Sequence, residues 1–305
     1  MTKQRNRRYW MVIPVVTIII LLGLIFHRTW QNEQRVHKTN TAEKIRIVTS
    51  LAVYGEMAQA VVGDQGQVQS IINKASVDPH EYEPSVQTAK AYAQAQLIIA
   101  NGAGYDAWST KFAQANTQAQ KLNVGTIVGY HEGDNEHFWY QPTVTKAMMD
   151  PLVDKLSALK PASRSYFQTN AQRYIKTIQP LAEKRAELTK QLKGKSVLVT
   201  EPVYDNALAG LGVHDLNPNF AHAIEAGNDP NPTDVLAWND AITQGQVAFV
   251  INNPQTENAV TRRAVKKAQQ FQVPIISVTE TKPDGKNYLE WQLGILEQIE
   301  EALKK

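Results

Sequence analysis

The sequence predicts an α/β protein of two lobes, each with a parallel-type sheet flanked by helices, the two joined by one long helix. Two observations carry that expectation. Short apolar runs alternate with helical segments both before residue 143 and after residue 195. Alternation of that length favours parallel strands covered by helices on both faces. Between these regions, residues 143–192 have apolar positions three and four apart and no strand signal, which is the helical period.

In the first alternating region, "IRIVTSLAV" reads as a strand, "YGEMAQAVV" as a helix and "QVQSII" as a strand. "VQTAKAYAQA" is helical, "QLIIAN" a strand, "AWSTKFAQA" helical and "KLNVGTIV" a strand. The middle region then supplies "TVTKAMMDPLVDKLSALK" and a second helix over 162–192, separated by Pro161. At 1.5 Å per residue the second helix would run about 45 Å, with Pro180 kinking it. Alternation resumes through "SVLVT", "PTDVLAWNDAITQ", "VAFVIN", "ENAVTRRAVKKAQQF", "VPIISVT" and "NYLEWQLGILEQIEEAL". The expected boundaries are a first lobe over 46–160, a connecting helix over 161–193 and a second lobe over 194–305.

The N-terminus reads differently. Lys3, Arg5, Arg7 and Arg8 precede "WMVIPVVTIIILLGLIF", residues 10–26, which carries no charge. A basic flank before an apolar run is the pattern of a signal peptide or signal anchor. As a helix the run would span about 25 Å, nearly a hydrocarbon core. The positive flank places residues 1–8 in the cytoplasm and the rest outside. No small-residue cleavage site follows, so residues 1–27 are expected to form an uncleaved anchor, with cleavage as the alternative. Residues 28–45 then serve as a polar tether. Beyond residue 8 the chain has 28 bases and 29 acids, a balance that offers no nucleic-acid footprint. With no Cys, disulfides play no part, and the exported portion must rest on core burial.

Among seven histidines, two stand where ligands bind in open α/β sheets, just past the carboxyl ends of strands. His80 follows "QVQSIINKASVDP", and His137 lies in "GDNEHFWYQP" after "KLNVGTIV". With Glu81, Glu83 and Glu136 alongside, two imidazoles from separate strand ends suit a transition-metal site. Spacing alone does not separate such ligands from solvated loop histidines. Gly-x-Gly in "NGAGYDAW" lacks the remainder of a dinucleotide fingerprint, and no HEXXH helix is present.

Five segments, "DPHEYEPS", "NGAGYDAW", "HFWYQP", "NDPNPTDV" and "PIISVTETKPDGKNYLEW", occur in an order that resembles the solute-binding proteins of zinc/manganese ABC importers, cluster A-I. The resemblance covers nearly everything from residue 46. It implies two α/β lobes bridged by a helix, with a metal ion between them. Residue by residue, it puts His80 and His137 at the first-lobe ligand positions. A third ligand, His or Glu, should precede "NDPNP"; His222 fits, with Glu225 and Asp229 as rivals, all from a segment that reads as a loop. The fourth is a carboxylate past the last strand, Glu280, with Asp284 as runner-up.

The resemblance further implies an extracytoplasmic, non-enzymatic monomer at the cell surface. It would carry Zn2+ or Mn2+ as transported ligand to the membrane subunits of an ABC permease, without nucleic acid. Two departures qualify it: the lipid-attachment Cys is missing, so membrane attachment must be peptidic, and only "HEGDNEH" stands where several zinc-specific members carry a His-rich loop. Zinc against manganese stays open. The competing readings are a zinc-dependent hydrolase with Glu81 or Glu83 as general base, and a surface adhesin with a structural or vestigial metal site.

Overall fold

The computed structural model describes residues 22, 23, 27, 44–77, 79 and 81–304. The chain divides into two units, Met1–Lys44 and Ile45–Lys305, and every element below belongs to the second. The expected anchor and tether lie outside the described residues except for Leu22, Gly23, His27, Lys44 and Ile45. Among the described residues no helix is long and apolar enough to cross a membrane.

The first half alternates β1 (Ile45–Leu51), α1 (Ala52–Val62), β2 (Gly66–Ile72), α2 (Val86–Gln94), β3 (Leu97–Ala100), α3 (Ala107–Ala115) and β4 (Gln120–Asn123). The sheet order is β2-β1-β3-β4, and every pairing is parallel. The second half repeats the winding. Its strands β5 (Ser196–Val199), β6 (His214–Asp215), β7 (Val250–Asn252) and β8 (Ile275–Ser277) form the parallel order β6-β5-β7-β8. Around them lie α8 (Asp205–Leu211), α9 (Pro218–Glu225), α10 (Pro232–Thr243), α11 (Ala259–Gln270) and α12 (Tyr288–Leu303).

Side chains of a strand alternate between sheet faces, and the core divides accordingly. Val48 and Ile98 pack outward with Tyr92 and Ala113, under α2 and α3. Leu198 and Val250 pack outward with Phe220, Trp238 and Ala268, under α9, α10 and α11. The intervening residues, Ile47, Ile99, Val197, Val199 and Ile251, all join one inner core that also holds Trp139, Tyr140, Met148 and Trp291. That core is continuous from one half to the other.

Three sequence expectations need correction. "KLNVGTIV" is a strand only as far as Asn123; Val124–Val128 is a short helix, α4. The Asn123 side chain accepts from Thr126 N at 2.9 Å, an N-cap that ends the strand and starts the helix. The segment around His222 is not a loop but α9, begun by the Asn217 cap on Phe220 N and by Pro218 at the first turn. The connecting helix is not continuous. After α5 (Val144–Leu159) come α6 (Arg164–Thr177) and α7 (Gln179–Leu192), separated by Ile178 at φ −90°, ψ 2°. Pro180 has no N–H to offer the Lys176 carbonyl, and its ring crowds that oxygen, so the helix restarts with Pro180 in its first turn.

Candidate metal site

The carboxyl ends of the strands converge where the halves meet. At the end of β3 the chain turns through Gly102, Ala103 and Gly104, all at positive φ. Asp106 closes this turn by accepting from Asn101 N at 2.7 Å and Gly102 N at 2.8 Å. Ala103 at φ 56° is a left-handed conformation that costs a residue with a Cβ. The turn brings the edge of Tyr105 against the His137 ring, with centroids 5.8 Å apart. Asn101 then reaches across, its Nδ2 donating to Glu136 O at 3.1 Å. The "NGAGYDAW" motif is thus a clamp on the loop that carries His137.

His137 itself is fully buried, with Trp139 at its other edge (5.3 Å). Asn135 Oδ1 accepts from His137 N at 2.9 Å and lies 3.1 Å from His137 Nδ1. An amide oxygen has no proton to donate, so Nδ1 carries one here, and Nε2 points onward. Asn206 of α8 locks the same loop from the second half, donating to Asn135 Oδ1 at 3.0 Å and His137 O at 3.1 Å. In turn, Asn135 Nδ2 donates to Pro202 O at 2.7 Å.

Nε2 of His137 meets Glu280 Oε1 at 3.0 Å, both side chains at zero exposure. Glu280 follows β8, and its backbone N donates to Gln255 Oε1 at 2.6 Å. Gln255 Nε2 also donates to Ala75 O at 2.8 Å, tying the segment after β2 to the second half. Tyr140 closes the contact by donating to Thr279 O at 2.5 Å. Burial alone would lower the His137 pKa; the hydrogen bond and charge of Glu280 overcome it, and the imidazole is raised above its ordinary value.

A second buried carboxylate joins this pair. Glu201, 1% exposed, follows β5 and accepts from Asn253 Nδ2 at 2.5 Å and Thr256 Oγ1 at 2.7 Å. Burial raises its pKa, and the charge of Glu280 adds to the rise, while Thr256, Asn253 and His137 oppose it. Two acids around one imidazole, all removed from water, form a site that a cation would neutralise.

Of the residues singled out from the sequence, His137 and Glu280 are brought into contact, and His80 lies outside the described residues. His222 does not reach that contact. Its side chain is 59% exposed on α9, with Nδ1 3.3 Å from Glu225 Oε2. Glu225 lies close to His137 and Glu136, whereas Asp229 is exposed and lines an outer groove with Phe220 and Trp238. Asp284 accepts from Ala75 N at 3.2 Å and serves as a loop tie. A buried carboxylate that sequence reasoning missed is Glu201. A signal was present: Val199-Thr200-Glu201 and Val278-Thr279-Glu280 are the same tripeptide, each at a strand end.

Comparison with known proteins agrees with the fold. The family model described as "ZnuA: Zinc-uptake complex component A periplasmic" matches residues 47–302. The "Zinc-binding lipoprotein AdcA" of Streptococcus pneumoniae is 24% identical over 295 residues. That match takes in 86% of this chain and 56% of AdcA, so this chain spans little more than half of that relative's length. The "Manganese ABC transporter substrate-binding lipoprotein PsaA" of the same species is 24% identical over 291 residues, covering 88% of this chain and 92% of PsaA. Among solved structures, a Mn-bound periplasmic metal binding protein from candidatus Liberibacter asiaticus superposes with TM-score 0.68 at 16% identity. That superposition covers 86% of this chain and all of the other. Zn(II)-bound AdcA from S. pneumoniae gives TM-score 0.66 at 20% identity, over 86% of this chain and 58% of that one. At these identities the structures establish a shared fold.

Proposed function

The chain belongs to the family of periplasmic zinc-uptake component A proteins, and on that premise we propose that it is an extracytoplasmic receptor for Zn2+ or Mn2+. The ion is its cargo, taken up between the halves and passed to the membrane subunits of an ABC permease. The observation that supports this best is the buried contact of His137 with Glu280, one residue from each half. Its ligands would be His137 Nε2, the Glu280 carboxylate, Glu201 in place of His222, and His80 from the segment after β2.

The chemistry suits carriage. A neutral imidazole with Nδ1–H held by Asn135 presents Nε2 in a fixed direction, as supported metal-binding histidines do. Two carboxylates offset the ion's charge, and a shell filled by protein groups leaves no open position for a reacting water. Release needs a state in which the shell is looser, and docking on the permease would favour that state. Having no Cys for a lipid thioether, this chain would be held at the membrane by residues 10–26, facing outward.

Elemental analysis of the purified full chain, paired with competitive titration of Zn2+ against Mn2+, tests the reading. One bound ion per chain is expected, lost in His137→Ala. Purified protein that takes up neither ion would refute it.

A further inference from the structure

Carboxylates outside the ligand set just described also stand near His137. Glu136, His137 and Glu225 each bring a donor atom within 4.8 Å of the others. They come from the loop before the "FWY" turn and from the end of α9. Glu225 Oε1 is buried without a hydrogen-bond partner, while Oε2 faces His222, which is largely exposed. Glu201, by contrast, is 1% exposed and accepts from Asn253 and Thr256. His137 is therefore shared by the buried Glu280 and by a half-buried pair, Glu136 and Glu225, the second of which meets the exposed His222.

We propose that Glu136, His137 and Glu225, with His222 at the solvent edge, form an outer divalent-cation site through which the ion enters and leaves the inner one. This rests on the receptor function proposed above. Two carboxylates held this close repel each other, and a cation relieves the repulsion. The donor set, one imidazole and two carboxylates, accepts the same divalent ions as the inner set. Because His137 is common to both, it cannot serve the two sites fully at once. The ion therefore exchanges its carboxylates while one imidazole keeps hold of it, instead of shedding its whole shell in a single step. A negatively lined mouth would also raise the local cation concentration.

Stopped-flow measurement of Zn2+ association, and of dissociation into excess chelator, tests the site on the full chain. For Glu225→Gln, both rate constants should fall by about tenfold, the low end of what a charged mouth contributes, so that their ratio moves little. Glu136→Gln should behave alike, and it provides the test if the first variant fails to fold. Unchanged rates in a folded variant would overturn the outer site. So would slower association with unaltered dissociation, which signifies steering without ligation. A large loss of affinity with faster dissociation would instead make Glu225 an inner ligand and also overturn it. Wild-type protein that binds no Zn2+ or Mn2+ would sink the receptor reading itself, whereas normal binding with rates indifferent to both variants removes only the outer site.

Discussion

Nε2 of His137 lies 3.0 Å from Oε1 of Glu280, with neither side chain exposed to solvent. One residue comes from the first half and the other from the second, so a ligand that separates them acts on both. Removing either partner should be severe. His137→Ala and Glu280→Gln are each expected to lower Zn2+ affinity by more than the about 10–100-fold typical of losing a supporting group. Calorimetric titration checks this; a variant retaining wild-type affinity would contradict it.

Asn135 is such a supporting group, since it fixes the imidazole's orientation without facing Glu280. Asn135→Ala should weaken metal binding by about 10–100-fold, with circular dichroism showing the fold intact. Affinity within about twofold of wild type would mean that the aromatic edges of Tyr105 and Trp139 suffice to orient the ring.

Glu201 and His222 can be ranked directly. Glu201→Gln removes charge from a carboxylate enclosed beside Glu280, whereas His222→Ala alters a ring mostly in water. Equilibrium affinity should fall much further in the first variant. Equal losses, or the reverse order, would restore His222 to the inner shell.

Acidity should stabilise the metal-free protein. Burial and the neighbouring Asp215 push the Asp205 carboxyl up to about 7, and burial pushes Asp215 up to about 6. An Asp in the unfolded chain titrates near 3.9, so the folded state holds extra protons between about pH 4 and pH 7. Stability from these groups is therefore full at the acidic end and falls as pH rises through the folded values. His137, raised by Glu280, adds a change of the same sign, present below the ordinary imidazole value and lost above its folded one. The Tm of metal-free protein should be higher near about pH 5 than near about pH 8. Asp205→Asn should narrow that difference; an identical pH slope in the variant would count against the assignment.

The continuous inner core limits opening. Separating the halves widely would expose Trp139, Tyr140 and Trp291 together, and apolar exposure costs about 25 cal/mol per Å². Solution scattering of Ile45–Lys305 should show the radius of gyration shifting by less than about 1 Å on metal binding, against about 18 Å for a compact unit of this size. A change of several ångströms would show that the core parts.

What could be read from the sequence was what a local pattern encodes. Alternation gave the two parallel sheets because strands buried on both faces, such as β3 and β5, are almost wholly apolar. His137 stands out from its loop after "KLNVGTIV", and Glu280 from the match of its segment to the family that the sequence resembles. His222 was favoured through its proximity in sequence to "NDPNP". Only the path of α9, set by the Asn217 cap and Pro218, carries its ring outward. Glu201 was overlooked because a lone Glu after a strand looks ordinary; its character comes from Glu280, 79 residues later in the chain. The break at Ile178 was half visible, since Pro180 announces a disturbance but does not say whether the helix bends or stops.

That break separates two allegiances. α6 packs on α1 and α5 of the first half, while α7 packs on α8 and α12 of the second. The apparent crossbar is therefore two struts, each belonging to its own side and meeting at a single articulated residue. Any small rocking of one side against the other would be directed through Ile178, and Pro180→Ala, by letting the struts fuse, would stiffen that joint.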